Sequence, residues 1–324
     1  MSLPGPLERK QRDRRRFPRR WNDPVFDLRR RYIYGIPALI LLCLGLLGLW
    51  TCVWEPTRLV VRTHTIQMKS WPQDMRPLRV ALLGDVHGGA PFIDQKKLRD
   101  VVKLTNKEKP DMIFLLGDYV VMGVLGGKFM EPDVVAEGLR GLEAPLGVYA
   151  ILGNHDWWYN GPKVAQAFRS VGYNVLENQN VPVTIDGHTL YVVGLEDEWT
   201  RRPDVVKVLS KIPVGDPTIV LAHNPDTFPR LPPVNGITFA AHTHGGQVRF
   251  PLMGAPIVPS RYRQRYVAGH VEEGTEQMFV TSGIGTSLLP LRLGVLPEIA
   301  VITLSSEIKS SGRAQKHLCD KIPH

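Results

Sequence analysis

A chain of 324 residues with 43% hydrophobic composition is long enough to bury a substantial core, as one large domain or two small ones. Its formal net charge of +9 suggests a nucleic-acid binder only until the charges are located: residues 1–31 hold eleven Arg and Lys against four acids, so +7 sits there and +2 in the other 293 residues. The body therefore lacks the basic balance that tracks a phosphate backbone, and no nucleic-acid partner is expected. Cys43, Cys52 and Cys319 are the only cysteines; their spacing argues against a thiolate metal site and against structural disulfides.

Residues 1–31 read as a basic cytoplasmic tail and residues 32–54 as a transmembrane anchor. From Ile33 to Trp54 the chain runs 22 residues without a charge, enough to cross a bilayer core as a helix. Tyr32, Tyr34, Trp50 and Trp54 sit near its ends, as aromatic interface residues do. A cleaved leader is the alternative, and Arg30-Arg31 before an apolar stretch resembles a twin-arginine signal. No small-x-small cleavage site follows, and Leu49-Trp50-Thr51-Cys52 has Trp where a lipoprotein site needs a small residue. An uncleaved anchor is expected. The arginines before the span put the amino terminus in the cytoplasm and everything after Trp54 on the extracytoplasmic side of the inner membrane.

After a connector with a possible strand at Arg58–Arg62, Arg79-Val-Ala-Leu-Leu-Gly-Asp-Val-His-Gly-Gly89 is an apolar run that ends abruptly in Asp85 and His87. Such a run bounded by glycine is the pattern of a parallel strand buried on both faces. In open sheets of such strands, ligands bind beyond the carboxyl ends. Asp94–Lys107 has amphipathic helical spacing, and Asp111–Asp118 is a second apolar run stopping at Gly-Asp, which together make a βαβ unit. Glu131–Leu142 reads as a helix, Gly147–Asp156 as a third run ending in Gly-Asn-His-Asp, and Pro162–Val171 as a further helix. Val175–Leu195 reads as antiparallel strands with an Asp186-Gly187 turn. Thr218–Pro225 and Gly236–Gly246 are two more strands ending in histidines, and Gln277–Ser282 and Glu298–Leu304 close the set.

Asp85, His87, Asp118, Asn154, His223, His242 and His244 thus form a set of oxygen and imidazole donors at the ends of apolar runs. Without a thiolate, the set suits Mn, Fe, Zn or Ni. Seven donors are too many for one catalytic ion that keeps a position open, and they suit two divalent ions bridged by a shared carboxylate.

The motifs Gly84-Asp85-Val86-His87, Gly117-Asp118, Gly153-Asn154-His155-Asp156, Ala222-His223 and Ala241-His242-Thr243-His244 occur in that order. In this the chain resembles the calcineurin-like binuclear metallophosphoesterase superfamily. It departs at Ala241, where the family usually has Gly, and at Gly84, where many relatives have Ser. His242–Gln247 and Gly283–Arg292 make it most similar to the bacterial membrane-associated or exported phosphoesterases. The resemblance implies an α/β fold, the four-layer α-β-β-α metallophosphoesterase sandwich, over 55–306 behind an N-terminal transmembrane helix, with 307–324 a disordered tail. It also implies that Asp85, His87 and His244 hold one ion, Asn154, His223 and His242 the other, and Asp118 bridges them. A metal-bridging hydroxide would then attack a phosphodiester or phosphomonoester, with a substrate that is lipid-linked in some relatives.

His155 is the expected catalytic proton donor to the leaving group. Asp156 is either placed to orient it or a structural hydrogen-bonding residue. Arg292 is either a clamp for substrate phosphate or a buried ion-pair partner; Trp157, Trp158 and Tyr159 are either a substrate wall or a local hydrophobic cluster. Specificity is expected in loops such as 157–162 and 248–270. Two other readings compete: a pyrophosphate hydrolase of the UDP-diacylglucosamine type, whose cytoplasmic substrate disagrees with the arginine distribution, and a catalytically silent envelope scaffold, which disagrees with the full donor set.

Overall fold

A computed structural model describes residues 24–68 and 71–307, with side chains from residue 31 onward. Most of the basic tail and, apart from Glu307, the expected disordered tail lie outside the described residues. The chain divides into two units, Met1–Leu49 and Trp50–His324. In the first, α1 (Pro24–Leu49) is a single helix that contains Pro37. The stretch Arg31–Thr57 is long and apolar enough to cross a membrane, and none of its apolar window is buried within the protein. The expected anchor, 32–54, falls inside it.

The second unit begins with a π-helical turn, Trp50–Trp54, and the three-residue α2 (Glu55–Thr57). There follow β1 (Val60–Met68), β2 (Leu78–Leu83), α3 (Gln95–Lys107), β3 (Met112–Leu115), α4 (Pro132–Leu139), β4 (Val148–Ala150), α5 (Asn154–Ser170) and β5 (Asn174–Val175). The strand-rich second half comprises β6 (Gln179–Ile185), β7 (His188–Gly194), α6 (Val205–Leu209), β8 (Thr218–Leu221), β9 (Gly236–Ala240), β10 (Gly269–Glu273), β11 (Glu276–Val280) and β12 (Glu298–Ser306). They form two six-stranded sheets, ordered β1-β12-β2-β3-β4-β5 and β10-β11-β9-β8-β7-β6.

The alternation of side chains along each strand builds the layers. In β2, Leu78, Val80 and Leu82 join Phe114 and Ile302 of the same sheet and Val192, Ile219, Phe239 and Phe279 of the other in the core between the sheets. Ala81 and Leu83 point the opposite way, with Ile113 and Leu115, onto Leu98 and Val101 of α3 and Val135 and Leu139 of α4. Both faces are covered, which is why these strands read as unbroken apolar runs. The α-β-β-α sandwich is therefore present, with a slight fourth layer: the five-residue α6 and 3-10 turns cover Val193, Val220, Ala240 and Val280.

Helix α3 starts as expected, its Asp94 side chain accepting from Lys97 N at 2.8 Å. Three local expectations are corrected. Asn154, His155 and Asp156, read from sequence as the end of an apolar run, open α5, and the helix expected at Pro162–Val171 is its second half, beyond a break at Asn160 (φ −170°, ψ 86°) where Pro162 cannot continue the hydrogen-bond ladder. Residues 157–162 are consequently not a loop. The segment 174–195 serves two sheets: β5, only two residues long, joins the first, while β6 and β7 form the hairpin at the edge of the second.

Candidate metal centre

Strands β2 to β5 are mutually parallel, as are β7, β8, β9 and β11. The segments that follow β2, β3, β4, β7, β8, β9 and β11 carry every residue of the site. Five of them are strained: Asp85, His87, Asp118, His242 and His244 have φ of 50, 45, 56, 70 and 52°. A left-handed backbone at a non-glycine residue costs on the order of 1–3 kcal/mol and persists only where surroundings over-determine it. Here Asp85 N donates to Gly117 O at 3.0 Å, His87 N to Asp118 O at 2.9 Å and Gly88 N to Tyr119 O at 2.7 Å, lacing the first two segments together. Gly153 is required by close approach, since a Cβ there would stand 2.2 Å from Asp118 Oδ1.

The seven predicted donors converge and are fully buried or nearly so. His223 Nε2 lies 3.2 Å from Asn154 Oδ1, 3.3 Å from His242 Nδ1 and 3.3 Å from Asp118 Oδ2. On the other side, His87 Nε2 lies 3.2 Å from His244 Nε2 and 3.7 Å from the same Asp118 Oδ2. Asp85 completes that group, its ligand atom within 4.8 Å of the two histidines'; Oδ1 accepts from His242 N at 3.0 Å and Oδ2 is buried without a protein partner. Metal–ligand bonds of about 2.1 Å place neighbouring donors roughly 3.0–3.4 Å apart at octahedral or tetrahedral angles, so the spacing fits cations. His223 Nδ1 lies 2.7 Å from Leu116 O; donating there leaves the Nε2 lone pair turned into the site.

The electrostatics call for positive charge. Burial, reinforced by the Asp118 carboxylate, pushes Asp85 up to about 7. Burial lowers His87 and His242 to about 3 and holds His244 well below the usual imidazole range. His223 goes the other way: burial opposes its charge, but Asp118 and Asp85 outweigh that and raise it to about 10. Asp118 is held well below the usual carboxylate range, its burial outweighed by the surrounding imidazoles, His223 first. Ligation needs neutral imidazoles and ionised carboxylates, so a bound cation would have to displace the proton that His223 holds and keep Asp85 ionised.

His155 stands beside these donors, in a group with His87 and Asp118 whose ligand atoms are within 4.8 Å of one another. Its ring packs edge-on against His87 at 4.8 Å and Trp158 at 4.9 Å, and its Nδ1 has no protein partner. Asp156 does not orient it. Its carboxylate accepts from the backbone N–H of Gly153 and Asp118 through Oδ2 (2.9 and 2.8 Å) and of Tyr119 through Oδ1 (2.9 Å), so it braces the Asp118 turn against the start of α5. Arg292 is neither substrate clamp nor ion-pair partner. Fully buried, it donates to the carbonyls of Ser282 (3.0 Å) and Gly285 (3.2 Å), shaping the turn where Gly283 lies against Asp85; a Cβ on Gly283 would approach Asp85 Oδ2 to 2.6 Å.

The aromatic trio separates. Trp157 lies under the Arg201 guanidinium at 4.5 Å, and Tyr159 packs on Phe129 at 4.8 Å, whereas the exposed Trp158 stands beside His155. Trp199, which motif reading passed over, is its counterpart across the site, 4.3 Å from His242. Asp197 was also missed. It is 1% exposed, holds Thr200 Oγ1 (2.7 Å) and Trp199 N (3.1 Å) through Oδ2 and keeps Oδ1 buried and unpartnered; burial lowers His155, and the Asp197 field opposes that only in part, while it adds to the upward shift of His223. The signal was present, since Asp197 closes the Tyr191–Leu195 run as Asp118 closes its own.

Residues 78–248 match the calcineurin-like phosphoesterase family. The chain is 30% identical over 256 residues to the uncharacterized metallophosphoesterase YkuE of Bacillus subtilis (strain 168), covering 78% of this chain and 87% of that one. It is 30% identical over 281 residues to the phosphodiesterase YaeI of Escherichia coli (strain K12), covering 85% and 98%. A transmembrane protein with metallophosphoesterase domain from Danio rerio is 28% identical over 265 residues, 74% of this chain and 56% of that protein. With the match spanning β2 to β9 and all seven candidate donors, the chain belongs to the calcineurin-like phosphoesterases and is a metal-dependent phosphoric ester hydrolase.

Proposed function

We propose that this protein is a membrane-anchored two-metal phosphoesterase that hydrolyses phosphodiester or phosphomonoester bonds outside the cytoplasm. The observation that carries the reading is the position of Asp118 Oδ2, 3.3 Å from His223 Nε2 and 3.7 Å from His87 Nε2, between two groups of buried donors. Asp85, His87 and His244 would hold one ion and Asn154, His223 and His242 the other, with Asp118 shared; Mn, Fe, Zn and Ni all suit these donors. When bound, such ions supply the positive charge that acidifies a water and draws phosphoryl oxygens as negative charge develops.

The chain's own residues do the rest. His155 gives its proton to the leaving-group oxygen, and the carboxylate of Asp197 offsets part of the burial that lowers its imidazole. Trp158 and Trp199 border the approach beside His155 and His242. The Escherichia coli relative is named a phosphodiesterase, which favours diesters. The Danio rerio relative is named as a transmembrane protein, and with α1 and the arginines of residues 1–31 this supports the anchor and an extracytoplasmic domain.

The test is hydrolysis of bis-p-nitrophenyl phosphate and p-nitrophenyl phosphate by the full chain in detergent, with Mn, Zn, Fe or a chelator. Metal-dependent turnover that Asp118→Ala abolishes is expected. Turnover that survives the chelator or this substitution sinks the two-metal reading.

A further inference from the structure

Three segments that leave the carboxyl ends of β3, β9 and β11 are tied into one surface. Leu125 N donates to Leu288 O at 3.0 Å; Gln247 receives Ser287 N at 2.6 Å through Oε1 and reaches Leu289 O at 3.3 Å through Nε2; Arg249 N donates to Leu293 O at 2.7 Å. The same surface holds the start of the second unit, with Arg292 N donating to Thr51 O at 2.9 Å and Gly294 N to Glu55 Oε2 at 2.7 Å.

What this surface presents is apolar. Leu125, Leu252, Met253, Ile257, Leu288 and Leu289 are all exposed, Leu252 completely and Leu288 by 70%. Large apolar side chains scattered singly on a surface need no explanation, but here six are carried by loops hydrogen-bonded to one another, and apolar side chains gathered in this way mark an interaction site. Around it stand Trp50 and Trp54, stacked at 6.0 Å, with the Arg58 guanidinium 6.0 Å from the Trp54 ring. Exposed Arg249, Arg261 and Arg263 have no carboxylate partner among the described residues. Apolar tips, interfacial tryptophans and unpaired arginines are the composition that enters a head-group layer.

We propose that this rim is a membrane-docking surface whose partner is the phospholipid bilayer, so that the metal centre opens beside the lipid head groups rather than into bulk water. The proposal rests on reading α1 as a membrane span. It goes beyond that reading, because an anchor alone leaves the domain free to stand off the membrane. What selects a bilayer over a second copy or another protein is continuity: Thr51, bonded to the rim, is two residues beyond Leu49, the last residue of α1.

The test uses the full chain with Cys43, Cys52 and Cys319 replaced by serine, and nitroxide labels on single cysteines introduced as Leu252→Cys, Leu288→Cys and Val214→Cys. Val214 is fully exposed and precedes β8 at the opposite end of the sheet. The protein is placed in phosphatidylethanolamine–phosphatidylglycerol vesicles, and collision with oxygen, which partitions into lipid, is compared with collision with a water-soluble nickel chelate. The expected result is a several-fold higher oxygen-to-nickel ratio at 252 and 288 than at 214. Ratios equal at all three positions overturn the proposal, and shielding of 252 and 288 from both reagents overturns it in favour of a protein partner. Alkaline carbonate extraction separates the two readings. Protein retained in the vesicles with aqueous labels refutes docking alone, and protein released refutes the span and the docking with it.

Discussion

At the scale of single residues, Asp118 has the most demanding position. One oxygen accepts His155 N at 2.9 Å and the other faces both donor groups, so an amide in its place would point N–H at lone pairs or lose the backbone bond. Asp118→Asn is expected to lower metal content and turnover by at least about 100-fold, the upper end of what even outer-sphere substitutions cost; elemental analysis beside an activity assay checks both. His155→Ala discriminates by leaving group. If His155 protonates the departing oxygen, the loss should be on the order of 10²–10⁴ for an alkyl ester and much smaller for p-nitrophenolate, which leaves without help. Equal losses for the two esters would remove the proton-donor role. Asp156→Ala strands the buried N–H groups of Gly153, Asp118 and Tyr119, at about 1–3 kcal/mol each. A loss of at least about 3 kcal/mol in urea unfolding is expected, with activity falling as the Asp118 turn relaxes.

At the scale of elements, the way segments meet decides roles that composition left open. Arg292 could be read from sequence as a phosphate clamp, but the segment after β11 folds back and buries it against its own carbonyls. Burial lowers its guanidinium to about 10, and it remains the cation of that turn. Arg292→Met should therefore cost roughly 3 kcal/mol in stability through orphaned carbonyls, visible as a lower melting midpoint. A clamp would instead raise KM and leave the midpoint in place. Likewise Trp157, Trp158 and Tyr159 were one run in the sequence, and a helix separates them, because successive residues on a helix turn by about 100° and only Trp158 ends beside His155.

At the scale of the whole molecule, the two sheets bring the segments after β2, β3 and β4 against those after β7, β8, β9 and β11, and the desolvated donors between them are stabilised by whatever cations they hold. Chelation should lower the melting midpoint of the full chain, and added Mn or Zn should restore it. At 100 times Kd the linkage is worth about 2.7 kcal/mol, and Asp118→Asn should abolish the difference.

The sequence by itself singled out the seven candidate donors, their order, the parallel strands that carry them and the long apolar segment before them, because an apolar run ending in Asp or His is a local pattern that one strand and its following turn write in contiguous residues. Only the tertiary structure decided that Asp156 braces a turn, that Arg292 is sequestered, that Asp197 and Trp199 stand at the site and that Leu125, Leu252 and Leu288 share one surface. Those are relations between segments as far apart as Leu125 and Leu288, set by which loops the two sheets force together, and no local pattern records them.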